Sequence, residues 1–304
     1  MQLWTEGKTY YTGIRIGMAY ASEDYSHEDR EVPLGYRILL VREGTGMMQV
    51  GDVLYPVVAP GLYCLNDKDK VRFRTSASLK SLSLLFDPSV INDQMTQLLQ
   101  DHYVGKNGAG TDFQDIWMLE PFIERSSAYY GCMLLDSSAA KYVEEILNEV
   151  GSNLTVQPDS YWPCRSRSYL MELLFRIRLL YPRIGYTPSA IPQTGPEAIR
   201  PIIEYLHTNY KYKIKLEDLT SRFHVNRTTL NDWFKQSTGH SVISYLCQIR
   251  MRIADPMLRN TTLPISEIME MVGIRDDAHF IRQFRKYSGH SPAEYITKYC
   301  TMLS

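Results

Sequence analysis

Two short stretches near the C-terminal end carry side chains of the kinds that bind base edges and phosphates. One holds Arg227, Thr228, Asn231, Asp232 and Lys235; the other holds Ala278, His279, Arg282, Arg285 and Lys286. Asparagine can pair bidentately with adenine, threonine can touch a thymine methyl, a carboxylate can accept from cytosine N4, and arginine can fork a guanine edge. Arginine and lysine also meet phosphates, contacts that orient a protein without reading sequence. Near phosphates a carboxylate is repelled, so Asp232 equally fits a plain solvated surface charge. A lone histidine such as His279 is more often structural than base-reading. Other chemistry is poorly provided for. His224, His240 and His290 stand at no ligand spacing with another His or Cys, and the five cysteines lie far apart, so neither a metal nor a cofactor is expected. In the β-rich front only His27 is available, no nucleophile–base pair can be assembled, and no catalytic residue is assigned.

An internal repeat supplies the elements that must position the polar stretches. Residues 216–225 align with 265–274 at an offset of 49; after one inserted residue, 230–241 align with 280–291 at an offset of 50, and Tyr245 aligns with Tyr295. Each copy reads as a short helix, a tight turn and a longer helix. In the first copy Leu216, Leu219 and Phe223 form one apolar stripe, Asn226 can cap the next helix, and Leu230, Trp233 and Phe234 turn inward. In the second the matching residues are Ile265, Ile268 and Val272, then Asp276 as cap, with Phe280 and Phe284 inward. The period of 3.6 then sends the polar side chains to the outer or flanking faces. Two helices around a short turn are a helix-turn-helix, whose second helix suits a major groove ~12 Å wide.

From about Ile199 to Tyr295, a third of the chain, the sequence resembles the DNA-binding domain of AraC/XylS-type transcription regulators. The likeness rests on Leu-Glu-Asp-Leu (216–219), Leu-Asn-Asp-Trp-Phe-Lys (230–235), Ser-Thr-Gly-His-Ser (237–241), residues 245–254 of a linking helix, Ile-Ser-Glu-Ile (265–268), and Phe-Arg-Lys-Tyr-Ser-Gly-His-Ser-Pro-Ala-Glu-Tyr (284–295). It implies two helix-turn-helix units joined by a long helix, with Thr228, Asn231, Asp232, Ala278, His279 and Arg282 reaching bases. Arg227, Lys235, Arg285 and Lys286 would then meet phosphates of double-stranded DNA. Residues 43–61 resemble, more weakly, the cupin-type sensor barrel common in such regulators. The chain departs from the family at Thr220 and Met269, where a small Ala is usual, at Ile274, where Phe is usual, and at Ile296, where Arg is usual. Pro256 either ends the linking helix near Asp255 or kinks it, because proline removes a helical hydrogen bond at a cost of about 3 kcal/mol.

The front of the chain is of another kind. Short β-rich runs at 36–44, 47–50, 53–58 and 81–86, separated by Gly-containing turns, predict a small antiparallel β-barrel. Tyr20, Tyr36 and Arg37 are its candidate ligand-lining residues, although 22 tyrosines make any one of them equally an ordinary strand residue. Helical patterns follow: Ala139, Val143, Ile146, Leu147 and Val150 share a face capped by Asp136 or Ser137 and stopped at Gly151, and a second helix from Tyr169 to Leu180 stops at Pro182. These helices either close the barrel or, as 137–150 and 167–181, form a homodimer interface. Pro182, Pro188, Pro192 and Pro196 with Gly185 and Gly195 mark a linker. The fold class expected is thus an α+β multidomain chain: a cupin-like ligand-sensing barrel (1–120), a helical dimerisation segment (121–181), a proline-rich linker (182–195) and an all-α tandem helix-turn-helix domain (196–304).

Charge divides at the linker. The 304 residues carry 33 Lys plus Arg against 34 Asp plus Glu, a balance that on its face argues against nucleic acid. From Pro196 onward, however, 15 bases face 11 acids, and before it 18 face 23, so +4 and −5 are averaged to −1. Hydrophobic residues at 44% and charged at 22% exclude wholesale disorder, and no apolar run approaches the ~18–20 residues that span a bilayer. The expected protein is a cytoplasmic regulator with no membrane partner, activating through RNA polymerase in response to a small molecule. A barrel enzyme fused to a DNA-binding domain, and a ligand-free regulator whose front only dimerises or binds a protein, are the alternatives.

Overall fold

The computed structural model describes residues 4–25, 29–31, 35–74, 79–103, 111–126, 129–181, 197–260 and 263–299. The expected linker at 182–195 lies outside them, as does His27. Internal contacts divide the chain into an N-terminal unit (Met1–Gly44 with Val58–Thr187) and a C-terminal unit (Thr45–Val57 with Pro188–Ser304). The first region is sheet-rich and the second helical. Among the described residues no helix is long and apolar enough to cross a membrane.

The strands are β1 (Thr5–Glu6), β2 (Arg15–Ile16), β3 (Met18–Tyr25), β4 (Asp29–Glu31), β5 (Tyr36–Glu43), β6 (Gly46–Val50), β7 (Val53–Val57), β8 (Gly61–Leu65), β9 (Val71–Arg74), β10 (Leu79–Phe86) and β11 (Cys132–Leu134). Five of them form one antiparallel sheet in the order β11-β8-β5-β10-β3. Its register sets Leu84 opposite Ile38 and Tyr20, and Ile38 opposite Cys64, so that alternate residues Tyr36, Ile38, Leu40, Leu82, Leu84 and Phe86 share one buried face. Among the described residues the sheet keeps two edges, β3 and β11, and does not close into the barrel that the strand spacing predicts. That apolar face is covered by helices: α1 (Met95–Tyr103), α2 (Thr111–Ile123), α3 (Ser137–Val156) and α4 (Trp162–Leu180) bury Leu99, Phe122, Leu147, Leu170 and Leu174 in the same cluster. Each such side chain gains about 1.5–3 kcal/mol on burial.

Asp136 caps α3, its carboxylate accepting from the Ala139 amide at 2.8 Å. The helix does not stop at Gly151 but continues to Val156 and ends on Gln157 in the left-handed region, φ 52°. Gly151 is there for space: a Cβ at this position would stand 2.5 Å from the Tyr20 ring.

In the C-terminal unit, α5 (Arg200–Asn209) precedes α6 (Leu216–Phe223), α7 (Arg227–Thr238), α8 (Val242–Asn260), α9 (Ile265–Met271), α10 (Asp277–Ser288) and α11 (Pro292–Tyr299). Ile203, Leu219, Leu230, Phe234, Leu258, Ile268, Phe280 and Phe284 make its core. The β6–β7 hairpin, read from sequence as part of the front barrel, belongs to this unit by its contacts. Its Met47 and Leu54 are buried in the same apolar cluster as Ile202 and Leu206, and the Thr45 hydroxyl donates to the Thr208 carbonyl at 3.0 Å. Of the two outcomes open at Pro256, ending at Asp255 does not occur: α8 runs through the proline to Asn260.

Candidate nucleic-acid interface

Helix α7 begins where Asn226 Oδ1 accepts from the Thr229 amide at 2.9 Å, and α10 begins where Asp276 Oδ1 accepts from the His279 amide at 2.6 Å. Each cap satisfies one of the amides that a helix start leaves unpaired. The turns that feed them are equally matched. His224 and Gly273, aligned in the repeat, both take left-handed backbone, φ 52° and 74°. At Gly273 a side chain is excluded twice over, since a Cβ would lie 2.2 Å from the Lys211 carbonyl oxygen.

Burial then sorts each recognition helix into two faces. On α7, Leu230 and Phe234 are fully buried, Trp233 only partly, while Arg227, Thr228, Asp232 and Lys235 are exposed and Asn231 is half-buried at their side. On α10, Phe280 and Phe284 are buried, and Ala278, Arg282, Arg285 and Lys286 are exposed. His279 is half-buried, and its Nδ1 stands 3.4 Å from Arg282 Nη2, so these two are brought together. Gln236 is exposed and, by the offset of 50, occupies the repeat position of Lys286.

The two faces differ electrically. Arg285 donates to both oxygens of Glu294, which the Ser291 amide and hydroxyl, then Arg285 itself, hold down to about 2. Asp232 and Arg282 occupy equivalent positions with opposite charge.

The three ligand candidates of the N-terminal unit do not converge. Tyr36 and Arg37 are neighbours on β5 and so point to opposite faces. Arg37 is buried and donates to Ser83 Oγ at 3.2 Å; Tyr20 donates to Asn148 Oδ1 at 2.9 Å and braces α3; Tyr36 lines a cavity of about 620 Å³.

Two capped helices with apolar backs and outward polar faces, repeated in register around a linking helix, define a tandem helix-turn-helix module of the DNA-binding class. A family model described as a helix-turn-helix domain matches residues 219–298. The lactose operon transcription activator of Staphylococcus xylosus is 22% identical over 285 residues, 93% of this chain and 89% of the relative. The transcriptional activator RhaR of Cronobacter sakazakii is 22% identical over 260 residues, 84% of this chain and 82% of the relative. YdiP of Escherichia coli, an uncharacterised helix-turn-helix transcriptional regulator, is 36% identical over 97 residues, 32% of either chain. Among solved structures, the C-terminal domain of AraT, a response regulator from Geobacillus stearothermophilus, is 31% identical with a TM-score of 0.33, covering 34% of this chain and 88% of that one. Residues 219–298 are thus a helix-turn-helix domain of the AraC type, and most of the chain's length is similar to proteins named as transcription activators.

Proposed function

We propose that the chain is a sequence-specific DNA-binding activator of transcription, with α7 and α10 entering successive major-groove faces. The register-matched pair of polar faces carries the reading. Thr228, Asn231 and Asp232 stand beside Arg227 and Lys235 on one helix, and Ala278, His279 and Arg282 beside Arg285 and Lys286 on the other. The first set in each is assigned to bases and the second to phosphates. Activation is supported by the relatives named as activators, and makes RNA polymerase the protein partner and the cytoplasm the compartment.

The N-terminal unit is read as the cupin-like sensor. The cavity beside Tyr36, with Phe86 and Leu99 in its wall and Trp4, Asp67 and Gln100 among its lining, falls within the ~300–1,000 Å³ usual for small-molecule sites. Pairing of two copies through α3 and α4 is supported by Phe175 and Leu179, one turn apart on α4 and 56% and 62% exposed, since an interface would take such side chains out of water.

The test is selection of source-genome fragments that bind the full chain, followed by titration of one fragment against salt. Log affinity is expected to fall steeply with log salt; salt-independent binding, or none, refutes the reading. A metabolite panel is expected to contain a compound that raises the melting temperature. A panel without effect turns the front unit into a dimerisation or protein-binding part only.

A further inference from the structure

The second helix-turn-helix hangs on the linking helix by a cluster that the repeat does not predict. Asp255, in the last turns of α8 and 8% exposed, accepts from the Tyr295 hydroxyl of α11 at Oδ1 (2.5 Å) and from the Tyr287 hydroxyl of α10 at Oδ2 (3.3 Å). Arg259, one turn on, donates from Nη2 to the Tyr295 oxygen (2.5 Å), lies 3.7 Å from Asp255 Oδ1, and sets its guanidinium over the rings of Tyr295 and Tyr299. Tyr295 in turn packs edge-on against Phe284, on the buried back of α10, at 5.2 Å. One carboxylate thus joins three helices.

The first helix-turn-helix is closed in a parallel way by other groups, Arg250 of α8 donating to the Tyr210 and Tyr212 carbonyls at 2.9 Å each. Tyr245, the repeat partner of Tyr295, meets His207 Nε2 of α5 at 3.1 Å. Each closing helix is therefore tied by a tyrosine to the helix that precedes its unit, through a neutral ring in the first case and through a charged, three-helix cluster in the second. The difference falls where bracing is needed. Residue 256 is proline and has no amide hydrogen for the carbonyl four residues back, so α8 is softened at the turn from which the second unit hangs. A nearly buried carboxylate that loses its place leaves hydroxyl and guanidinium groups unpaired, which makes the geometry steep rather than compliant.

We propose that Asp255, with Tyr295, Tyr287 and Arg259, is the positioning cluster that fixes the angle of α10 relative to α7 and thereby the spacing of the two DNA boxes the protein reads. The proposal rests on the DNA-binding reading above. Asp255 touches no base; it acts through where it holds α10.

The experiment is in vitro selection from a pool of random DNA duplexes with the full-length protein, followed by affinity measurement on the winning duplex. The wild type is expected to select two boxes at one spacing. Asp255→Ala is expected to keep the box read by α7, to spread or lose the second box, and to bind the wild-type duplex about tenfold less tightly. Asp255→Asn, which still accepts from Tyr295, is expected to restore the single spacing. If Asp255→Ala does not melt cooperatively, Tyr295→Phe, which keeps the ring and removes the hydroxyl, must give the spread spacing. Unchanged spacing and affinity in the folded variant overturn the proposal while leaving the DNA-binding reading intact. Loss of both boxes together assigns Asp255 a general structural role and overturns it too. A wild type that selects no sequence removes the reading on which it rests.

Discussion

Arg285 Nη2 donates to both carboxylate oxygens of Glu294, at 3.0 and 3.1 Å, and the equivalent positions in the first helix-turn-helix are Lys235 and Ser244. One recognition helix therefore offers phosphate an amine on a long stem, the other a guanidinium already engaged. Since Glu294 is held down to about 2, the pair stays charged throughout the neutral range. Glu294→Gln keeps an acceptor for the Ser291 amide at the start of α11 and releases Arg285. Tighter DNA binding and a salt dependence steeper by about 0.9 are expected from titrations at several salt concentrations. An unchanged slope would remove Arg285 from the phosphate contacts.

Base-reading and phosphate-holding side chains should separate in competition assays. Lys235→Ala is expected to weaken all duplexes alike and to flatten the salt slope by about 0.9. Arg282→Ala should instead relax preference at one base pair, by about 1–3 kcal/mol, while leaving the other positions sharp. Uniform weakening by Arg282→Ala would make that residue a phosphate ligand.

The aligned turn residues should respond in opposite directions. Gly273→Ala places a Cβ against the Lys211 carbonyl and L-backbone in the left-handed region, a conformation costing roughly 1–2 kcal/mol even where space is open. Urea melts should show a loss of at least that size. His224→Gly relieves the same backbone conformation at φ 52° and is expected to leave stability level or raised. Equal losses in the two variants would contradict the steric account.

Acid should weaken the C-terminal unit through His207. Burial, and after it Arg252, lowers His207 to about 3 against an ordinary value of 6.5. Between those values the unfolded chain binds more protons than the folded one, so stability is complete above about pH 6.5 and falls as pH drops toward 3. The slope is up to about 1.4 kcal/mol per pH unit. Melts at pH 7.5 and 5.5 should therefore differ, and His207→Gln should flatten the difference whatever it does to stability overall. Glu294 has the same direction of loss in a lower window, from about 4.5 down to 2, so the two do not overlap above pH 5.

Much of the C-terminal unit was legible because its signals are local. The offset repeat, the caps Asn226 and Asp276, and the inward Leu230, Phe234, Phe280 and Phe284 depend only on residues three or four apart. Helical period and capping chemistry act over that distance, so the exposed positions followed from them. The +4 and −5 halves were legible for the same reason, as counts along the chain.

What the chain order does not carry is which distant surface receives each apolar or polar group. Gly151 has the composition of a helix stop, yet the Tyr20 ring makes it a point of close packing inside α3. The β6–β7 hairpin reads like any other short β-rich run, but Met47 and Leu54 are buried with α5. Nothing near Arg285 in sequence marks Glu294 as its partner, and nothing near Asp255 marks Tyr295, forty residues away. Periodicity says that a face must be buried or a charge satisfied; packing across the fold chooses the partner, because burial and pairing energies depend on contacts the chain makes only once it has closed on itself.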